Sequence, residues 1–218
     1  MEFAAYMPVW DKLTQAQRVT LASCVSYRTV KKDEVIHHGD VDCMGLLLIR
    51  QGQLKAFMLS EDGREITLYR LFDRDICLFS AGCMMRSLRV EIMVQAEKDT
   101  DLWVIPAETY KQLMEESAVL SNFTNEMMAG RISDVMWLME QVLWKSFDKR
   151  LAGYLLEEAA IEQSIMLRIT HESIGKHLGN PREVVTRMLH YFQKEGLVRL
   201  SRGTIEVTDE PKLRRLSQ

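Results

Sequence analysis

The sequence predicts an α+β protein in three parts: an antiparallel β-roll, one long helix, and a helical C-terminal module that ends in a β-hairpin. Three observations support this fold class. Short β-prone segments separated by turn residues fill the first half of the chain. A helical pattern without proline covers residues 121–144. Two short helical patterns on either side of a glycine are then followed by a second hairpin pattern. Together these patterns predict three parts, residues 1–120, 121–144 and 146–218.

The composition is that of an ordinary globular protein. Of the 218 residues, 47% are hydrophobic and 27% are charged, which is enough apolar material for a buried core and excludes wholesale disorder. No stretch approaches the roughly 20 uninterrupted apolar residues that a membrane helix needs. The first ten residues lack a basic segment followed by an apolar run, so we expect a cytoplasmic protein with no membrane partner.

The first half of the chain predicts a roll of short strands. Apolar or alternating segments at 46–49 and 53–59 are followed by the turn Asp62–Gly63 and by a further β-prone segment at 65–69. Two β-prone segments on either side of Asp-Gly are typical of a hairpin. Strands are also expected at 90–96 and 100–105, and the roll is expected to end near residue 110. A short helix is expected before the roll, at residues 11–23.

The long helix carries a seam of apolar residues at alternating spacings of 4 and 3. This heptad pattern is typical of a helix that packs along another helix. Met136 and Trp137 lie off the seam, so the helix is expected to be buried on two sides, one of them against a partner subunit. The pattern alone leaves open both a dimer seam and an ordinary buried helix. The seam residues are Met128, Ile132, Val135, Met139 and Val142.

The C-terminal module contains a helix-turn-helix pattern over residues 170–192. Thr170 is a good N-cap for the first helix, and Gly179 is suited to the left-handed conformation that ends it. Asn180 is the expected N-cap of the second helix, with Pro181 at its first position. The second helix is predicted over 182–194, and two short helices joined by a tight turn with glycine form this motif.

The outward face of the second helix begins with side chains of the types that can bind base edges in DNA. Arginine donates two hydrogen bonds to guanine, and glutamate accepts one from cytosine. In a helix-turn-helix, the start of the second helix enters the major groove. The alternative is a solvated charged face on a surface helix, but the surrounding motif favours recognition of double-stranded DNA. The residues concerned are Arg182, Glu183, Thr186 and Arg187.

The region after this helix supports the same interpretation. Residues 196–207 predict a β-hairpin, so the module resembles a winged helix-turn-helix, with Arg202 at the tip of the wing as a phosphate contact. Residues 164–218 contain ten basic and six acidic residues, a net charge of +4. This leaves −7 on the rest of a chain whose total is −3. A basic module on an acidic body is what phosphate binding requires.

The cysteine and histidine residues show no metal motif. The four cysteines lack a C-x-x-C pair, so a structural zinc or an iron–sulfur cluster is not expected, and in a cytosolic protein the thiols should be reduced. They are interpreted as small buried hydrophobes, with a redox or metal-sensing role for Cys77 and Cys83 as the alternative. His37 and His38 are interpreted as solvated rather than as haem ligands. No nucleophile–base spacing, zinc motif or phosphate loop predicts an enzyme. The other two cysteines are Cys24 and Cys43.

Through these residues the chain resembles the Crp/Fnr family, which is named after the cAMP receptor protein and the fumarate–nitrate regulator. The family's R-E-x-V-x-R pattern stands at 182–187, and the resemblance extends to the roll at 31–36 and 61–65. It implies a cyclic-nucleotide-binding-type β-roll as effector-sensing domain, a dimerisation helix, and a homodimer on a palindromic promoter site. It also implies base contacts by Arg182, Glu183 and Arg187, with Thr170 and His171 at phosphates, and allows a contact with RNA polymerase.

The chain departs from this family at the effector pocket. Leu78–Phe79 stand where cyclic-nucleotide binders carry Gly-Glu, and Val90–Glu91 where they carry Arg-Ser or Arg-Thr. An apolar pair does not accept ribose hydroxyls, and a glutamate repels a cyclic phosphate. Arg89 is one residue away and points to the other face of a strand. Arg86–Ser87 would correspond to the Arg-Ser pair of the family only if the gap between this sequence and the family pattern were placed elsewhere.

The sequence therefore argues against cAMP, and the N-terminal cysteine cluster of oxygen-sensing relatives is missing too. The effector is unknown, and its expected pocket is lined by Leu78, Phe79, Arg89, Glu91, Met136 and Trp137. The function predicted is an effector-responsive, homodimeric transcriptional regulator. The alternative is a small-molecule or thiol-redox sensor whose helix-turn-helix serves protein contacts.

Overall fold

The computed structural model describes residues 2–38, 43–84 and 91–218. The chain divides into two compact units. The first consists of Met1–Met58 and Leu68–Val135, and the second of Leu59–Thr67 and Met136–Gln218. The first unit holds a β-roll and the second a winged helix-turn-helix, so the predicted α+β class is confirmed. Gly39 and Asp40, predicted to form a turn, lie outside the described residues.

The β-roll consists of antiparallel strands. They are β1 (Ser26–Val30), β2 (Val35–His38), β3 (Leu46–Gln51), β4 (Leu54–Leu59), β5 (Glu65–Leu71), β6 (Ile76–Cys77), β7 (Met93–Ala96) and β8 (Thr100–Ile105). In the described residues one sheet has the order β1-β8-β3-β6 and another β2-β7-β4-β5. The apolar strand β3 is buried at four consecutive positions because both of its faces are covered.

The hairpin predicted around Asp62–Gly63 is confirmed. Gly63 has a φ of +74°, a value that glycine adopts without strain. The backbone N–H of Ser60 donates to the carbonyl of Arg64 at 2.8 Å, and the N–H of Gly63 donates to the carbonyl of Ser60 at 2.8 Å. The Arg64 N–H also donates to the Ser60 hydroxyl at 3.0 Å. The turn between β4 and β5 is thus closed by its own hydrogen bonds.

The helices of the first unit differ in part from the prediction. Helix α1 begins at Gln15 rather than at residue 11, because Thr14 and Gln17 form a capping box there. Helix α2 (Ala107–Glu116) was not predicted as a helix, and its first residues were assigned to the roll. It begins directly after Pro106, which occupies the N-cap position. Helix α1 ends at Cys24.

Helix α3 spans Ala118–Trp144. In the first unit it is anchored by Leu120 and Thr124, which are buried, and the hydroxyls of Tyr110 and Thr124 lie 2.8 Å apart. Burial raises the pKa of the Tyr110 hydroxyl to about 12, so this group remains protonated and able to donate. From Met136 onward the helix belongs to the second unit.

The second unit is built around one apolar core. Helix α4 (Phe147–Ile161) contributes Leu151 and Leu155 to it, both with no exposed surface. Helices α5 (His171–Leu178), α6 (Arg182–Lys194) and α7 (Glu210–Ser217) surround the same core. Strands β9 (Met166–Leu167), β10 (Val198–Ser201) and β11 (Thr204–Val207) form a sheet in the order β10-β11-β9.

The expectation that all thiols are reduced is wrong for Cys43, which is disulfide-bonded. Whether two cysteines pair depends on how closely the fold brings their backbones together, and irregular sequence spacing does not reveal that distance. Cys24 and Cys77 are free, and Cys77 is completely buried. Burial raises the pKa of the Cys77 thiol, which makes it a poor nucleophile and speaks against a Cys77–Cys83 redox pair.

Candidate DNA-binding site

The first helix of the motif has the ends that the sequence predicts. The Thr170 hydroxyl accepts a hydrogen bond from the Ser173 backbone N–H at 3.0 Å, which leaves its own hydrogen available to a phosphate. Gly179 ends the helix in the left-handed conformation, with a φ of +68° and a ψ of +30°. Both predicted caps of α5 are therefore confirmed.

The turn between the two helices depends on a glycine whose role the sequence did not reveal. Gly175 is buried within α5, and its carbonyl accepts a hydrogen bond from the Asn180 backbone N–H at 2.9 Å. A Cβ atom at Gly175 would lie only 2.6 Å from the Asn180 carbonyl oxygen. The absence of a side chain at this position therefore allows the turn to fold tightly against α5.

Asn180 does not cap the second helix as predicted. Helix α6 begins at Arg182, with Pro181 at the N-cap position and no side-chain cap. The side-chain oxygen of Asn180 instead accepts a hydrogen bond from Nη2 of Arg150 at 3.0 Å. Nη1 of Arg150 donates to the Leu178 carbonyl at 3.0 Å. Arg150, which the sequence analysis did not single out, thus connects α4 to both sides of the turn.

The recognition helix α6 separates an apolar face from a polar one. Val185, Leu189 and Phe192 are completely buried in the core of the second unit. On the opposite side, Arg182, Glu183 and Arg187 are exposed within the first two turns. Their side chains are thus available to a groove of DNA while the helix is fixed by its core.

Thr186, the fourth predicted reading residue, is half-buried and hydrogen-bonded within the motif. Its hydroxyl donates to the Arg182 carbonyl at 2.9 Å. The hydroxyl has one hydrogen, so it acts as acceptor toward Nδ1 of His171, which lies 2.9 Å away. This arrangement places the proton of the neutral imidazole on Nδ1. Burial, followed by the charges of Arg182 and His190, lowers the pKa of His171.

The wing is the β10–β11 hairpin, and Arg202 lies in its turn next to Gly203, which has a φ of +72°. Arg202 is exposed, as a phosphate contact would require. Arg199 is engaged on the wing itself, because its Nη1 lies 2.9 Å from Oε2 of Glu206. The pairing of β11 with β9 attaches the wing to the core of the module.

Five of the six residues expected at the effector pocket are described, three of them in the first unit and two in the second. Leu78 and Phe79 are buried in the first unit, whereas Glu91 is exposed. Met136 and Trp137 belong to the second unit and have 58% and 59% of their surface exposed. Arg89, Val90 and the alternative pair at 86–87 lie outside the described residues.

A different polar group lies in the first unit, where β5 faces α3. The guanidinium of Arg131 lies over the Tyr69 ring, 4.5 Å from its centroid, and its Nη1 is 3.0 Å from a carboxylate oxygen of Asp134. Burial and the neighbouring Cys77 raise the pKa of Tyr69 well above its usual value. The sequence analysis singled out neither Tyr69 nor Arg131, because each lies in a mainly apolar segment and belongs to no recognisable motif.

The heptad seam of α3 is partly exposed within one chain. Ile132 has 60% of its surface exposed, Met139 48% and Val142 43%. Met128 and Val135 are half-buried. Within one chain these residues are therefore not buried on two sides as the sequence had predicted. An apolar face is exposed along the second half of the helix.

No helix among the described residues is long and apolar enough to cross a membrane. No group of three or more histidine, cysteine, aspartate or glutamate side chains in the described ranges is arranged to hold a metal ion.

A β-roll combined with a winged helix-turn-helix defines a class of DNA-binding regulators, and comparisons with known proteins identify the family. A profile of the cyclic nucleotide-binding domain matches residues 27–117, and one of the Crp-like helix-turn-helix domain matches residues 149–216. A crystal structure from Eubacterium rectale, assigned to the Crp/Fnr family of transcriptional regulators, is 56% identical, with a TM-score of 0.96. The match covers 98% of this chain and 99% of that one.

Curated relatives agree with this assignment. The cyclic AMP receptor protein of Thermus thermophilus is 25% identical over 84% of this chain and 83% of its own length. The transcriptional activator protein Anr of Pseudomonas aeruginosa is 26% identical over 85% of this chain and 78% of its own length. The chain belongs to the Crp/Fnr family of transcriptional regulators and carries their helix-turn-helix DNA-binding domain. The relatives are transcription regulators rather than enzymes.

Proposed function

We propose that this protein is a homodimeric, effector-responsive regulator that reads a palindromic promoter site through Arg182, Glu183 and Arg187. The observation that carries the proposal is the exposure of these three side chains at the start of a helix that buries Val185, Leu189 and Phe192 on its opposite side. A helix fixed in this way presents a guanidinium or carboxylate to a base edge with little loss of conformational freedom. Thr170, His171 and Arg202 would lie at phosphates.

The dimer is proposed from the open face of α3. A row of apolar side chains at heptad spacing is stable in water when a second helix covers it, and a second copy of this chain presents the same row. Two recognition helices related by a twofold axis read two half-sites about 34 Å apart, so the target is expected to be a palindrome. An effector that changes this spacing would switch the affinity for DNA.

The effector is proposed to differ from cAMP. Leu78 and Phe79, at the positions expected to hold a ribose, are buried apolar side chains, and Glu91 carries a negative charge near the position expected for a phosphate. A contact with RNA polymerase belongs to the proposal as the route from DNA binding to transcription.

The test is a comparison of two arginine variants on DNA. Arg182→Ala is expected to cost about 1–3 kcal/mol on a specific duplex such as a TGTGA-containing palindrome, and to relax the preference at one base pair. Arg202→Ala should weaken specific and non-specific duplexes alike. Lys194→Ala, at the far end of the same helix, serves as the charge-matched control. If Arg182→Ala keeps the full sequence preference, α6 is not the reading helix.

A second candidate is a thiol-redox sensor whose helix-turn-helix contacts a protein, and the disulfide of Cys43 favours it. Binding to the palindrome at low salt, with and without a reducing agent, separates the two candidates. Absence of DNA binding in both states would favour the redox sensor. Binding that responds to a reductant would instead make the disulfide part of the input to a DNA-binding regulator.

A further inference from the structure

Thr186 and His171 connect the two helices of the motif through hydrogen bonds whose direction is fixed. The single hydroxyl hydrogen of Thr186 is donated to the carbonyl of Arg182, one turn earlier in α6, at 2.9 Å. The 2.9 Å contact between this hydroxyl and Nδ1 of His171 therefore requires a hydrogen on the nitrogen. His171 donates through Nδ1 in both its neutral and its protonated form.

The other ring nitrogen of His171, Nε2, differs between these two forms. A neutral imidazole has one hydrogen for two nitrogens. Because Thr186 holds that hydrogen on Nδ1, the neutral ring presents a lone pair at Nε2. Protonation adds a hydrogen and a positive charge there and leaves the bond to Thr186 intact. Within the described residues no hydrogen bond engages Nε2, and the ring is half-buried at the first position of α5.

The surroundings of the ring favour its neutral form in the absence of DNA. Burial, followed by the charges of Arg182 and His190 on α6, lowers the pKa of His171. On α5, the neighbouring carboxylate of Glu172 is paired with Lys176, whose Nζ lies 3.3 Å from Oε1. A phosphate placed at Nε2 would supply the negative charge that stabilises the protonated ring.

We propose that Thr186 is a positioning residue, which makes the contact between His171 and a DNA phosphate depend on protonation of Nε2. This inference rests on the proposed DNA-binding function. A neutral Nε2 and a phosphate oxygen are both acceptors, whereas the protonated nitrogen donates a charge-assisted hydrogen bond. Each subunit that binds DNA therefore takes up one proton at His171, and the affinity for DNA increases as the pH falls. Thr186, predicted to read bases, acts through His171 instead.

Substitutions in the full-length protein separate protonation from packing. In His171→Gln the amide nitrogen is as many bonds from the backbone as Nε2, so a permanent donor replaces the titrating one. In His171→Asn the amide nitrogen corresponds to Nδ1 and does not reach the phosphate. Thr186→Val removes the acceptor for Nδ1, so the neutral ring can carry its hydrogen on Nε2. His190→Gln is the matched control, because His190 is an exposed histidine of α6.

Affinity for a TGTGA-containing palindrome is measured by fluorescence anisotropy from pH 6 to pH 8 at constant ionic strength. Wild type and His190→Gln should bind about three- to tenfold more weakly per subunit at pH 8 than at pH 6. His171→Gln should bind equally well at both pH values, and His171→Asn should bind weakly at both. Thr186→Val should lose most of the pH dependence, because its binding at pH 8 becomes tighter.

A wild-type Kd that is the same at pH 6 and pH 8 would overturn the inference, as would a full pH dependence in His171→Gln. The wild-type pH dependence in Thr186→Val would show that Thr186 does not position the ring. Loss of the pH dependence in His190→Gln alone would assign the proton to His190 and overturn the role of His171. These outcomes leave the proposed DNA binding intact. If neither wild type nor variants bind any duplex at low salt and pH 6, the proposed function itself fails, and the inference with it.

Discussion

Arg150 and Asn180 are joined by a hydrogen bond of 3.0 Å that connects α4 to the turn of the helix-turn-helix. The same guanidinium donates to the Leu178 carbonyl, so one half-buried cation satisfies acceptors on both sides of Gly179. Burial lowers the pKa of Arg150, as expected when a cation is moved out of water. The orientation of the recognition helix therefore depends on a residue that does not belong to the motif.

Replacing Arg150 by methionine should destabilise the second unit by about 1–3 kcal/mol, because two half-buried acceptors lose charge-assisted hydrogen bonds. Arg150→Lys retains the charge but reaches only one acceptor, so its loss should be intermediate. The free energy of unfolding from urea titrations provides the measurement. Equal stability of wild type and Arg150→Met would show that the hydrogen bonds do not hold the turn.

Glycine-to-alanine substitutions in two neighbouring helices should have opposite effects. Gly175→Ala places a Cβ atom 2.6 Å from the Asn180 carbonyl oxygen, and the forced movement of the turn should cost about 1–3 kcal/mol. Gly153→Ala in α4 meets its nearest atom at 3.9 Å and should stabilise the helix by roughly 0.5–1 kcal/mol. Melting curves of both variants decide the sign. Destabilisation by Gly153→Ala would contradict the steric account.

The pH dependence of stability should contain a contribution from His171. Its pKa is lowered from 6.5 in the folded protein, so the unfolded chain binds more protons as the pH falls. The stability that depends on neutral His171 is present above the unfolded pKa and is lost as the pH falls through the folded value. Between pH 7 and 5, His171→Asn should therefore lose less stability than wild type.

Circular-dichroism melts at intervals of half a pH unit measure this difference. His38→Asn, at an exposed position of β2, is the matched control for the substitution itself. The groups that face His171 from α6 are Arg182, His190 and the Thr186 hydroxyl. A variant curve parallel to that of wild type would show that His171 has the same pKa in both states.

Local signals in the sequence predicted the ends of α5 and the extent of α6, because a threonine cap, a glycine end and an apolar stripe depend on neighbouring residues. The contacts of Asn180 were not predictable in this way. Its partner Arg150 lies 30 residues earlier, and this contact displaces the expected cap. The same reason applies to Cys43, whose pairing depends on the fold of the roll rather than on cysteine spacing.

Helix α7 shows that some signals were present but were not used. The Asp209 side chain accepts a hydrogen bond from the Lys212 backbone N–H at 2.9 Å, and Pro211 lies in the first turn. A capping aspartate followed by proline is a recognisable helix start. The C-terminal end is held by Lys145, whose Nζ lies 2.9 Å from the Ser217 carbonyl, and this contact over 72 residues was outside the reach of a local pattern.

The dimer proposal makes its own prediction at Ile132, the most exposed residue of the predicted seam. Ile132→Glu would place a carboxylate in an apolar helix–helix interface, where an unpaired charge is costly. A loss of at least about 1.4 kcal/mol corresponds to a tenfold weaker dimer. Ser133→Glu is the matched control, since it introduces the same charge at an exposed neighbouring position off the seam.

Sedimentation velocity from 0.1 to 50 µM gives the dimer dissociation constant of each protein. We expect Ile132→Glu to shift toward monomer while Ser133→Glu stays with wild type. The DNA affinity of Ile132→Glu should fall as well, because a monomer binds only one of the two half-sites. If Ile132→Glu remains as dimeric as wild type, the open face of α3 is not the dimer interface. If Ile132→Glu is monomeric but binds the palindrome as tightly as wild type, the palindrome is not read by two subunits held together through α3.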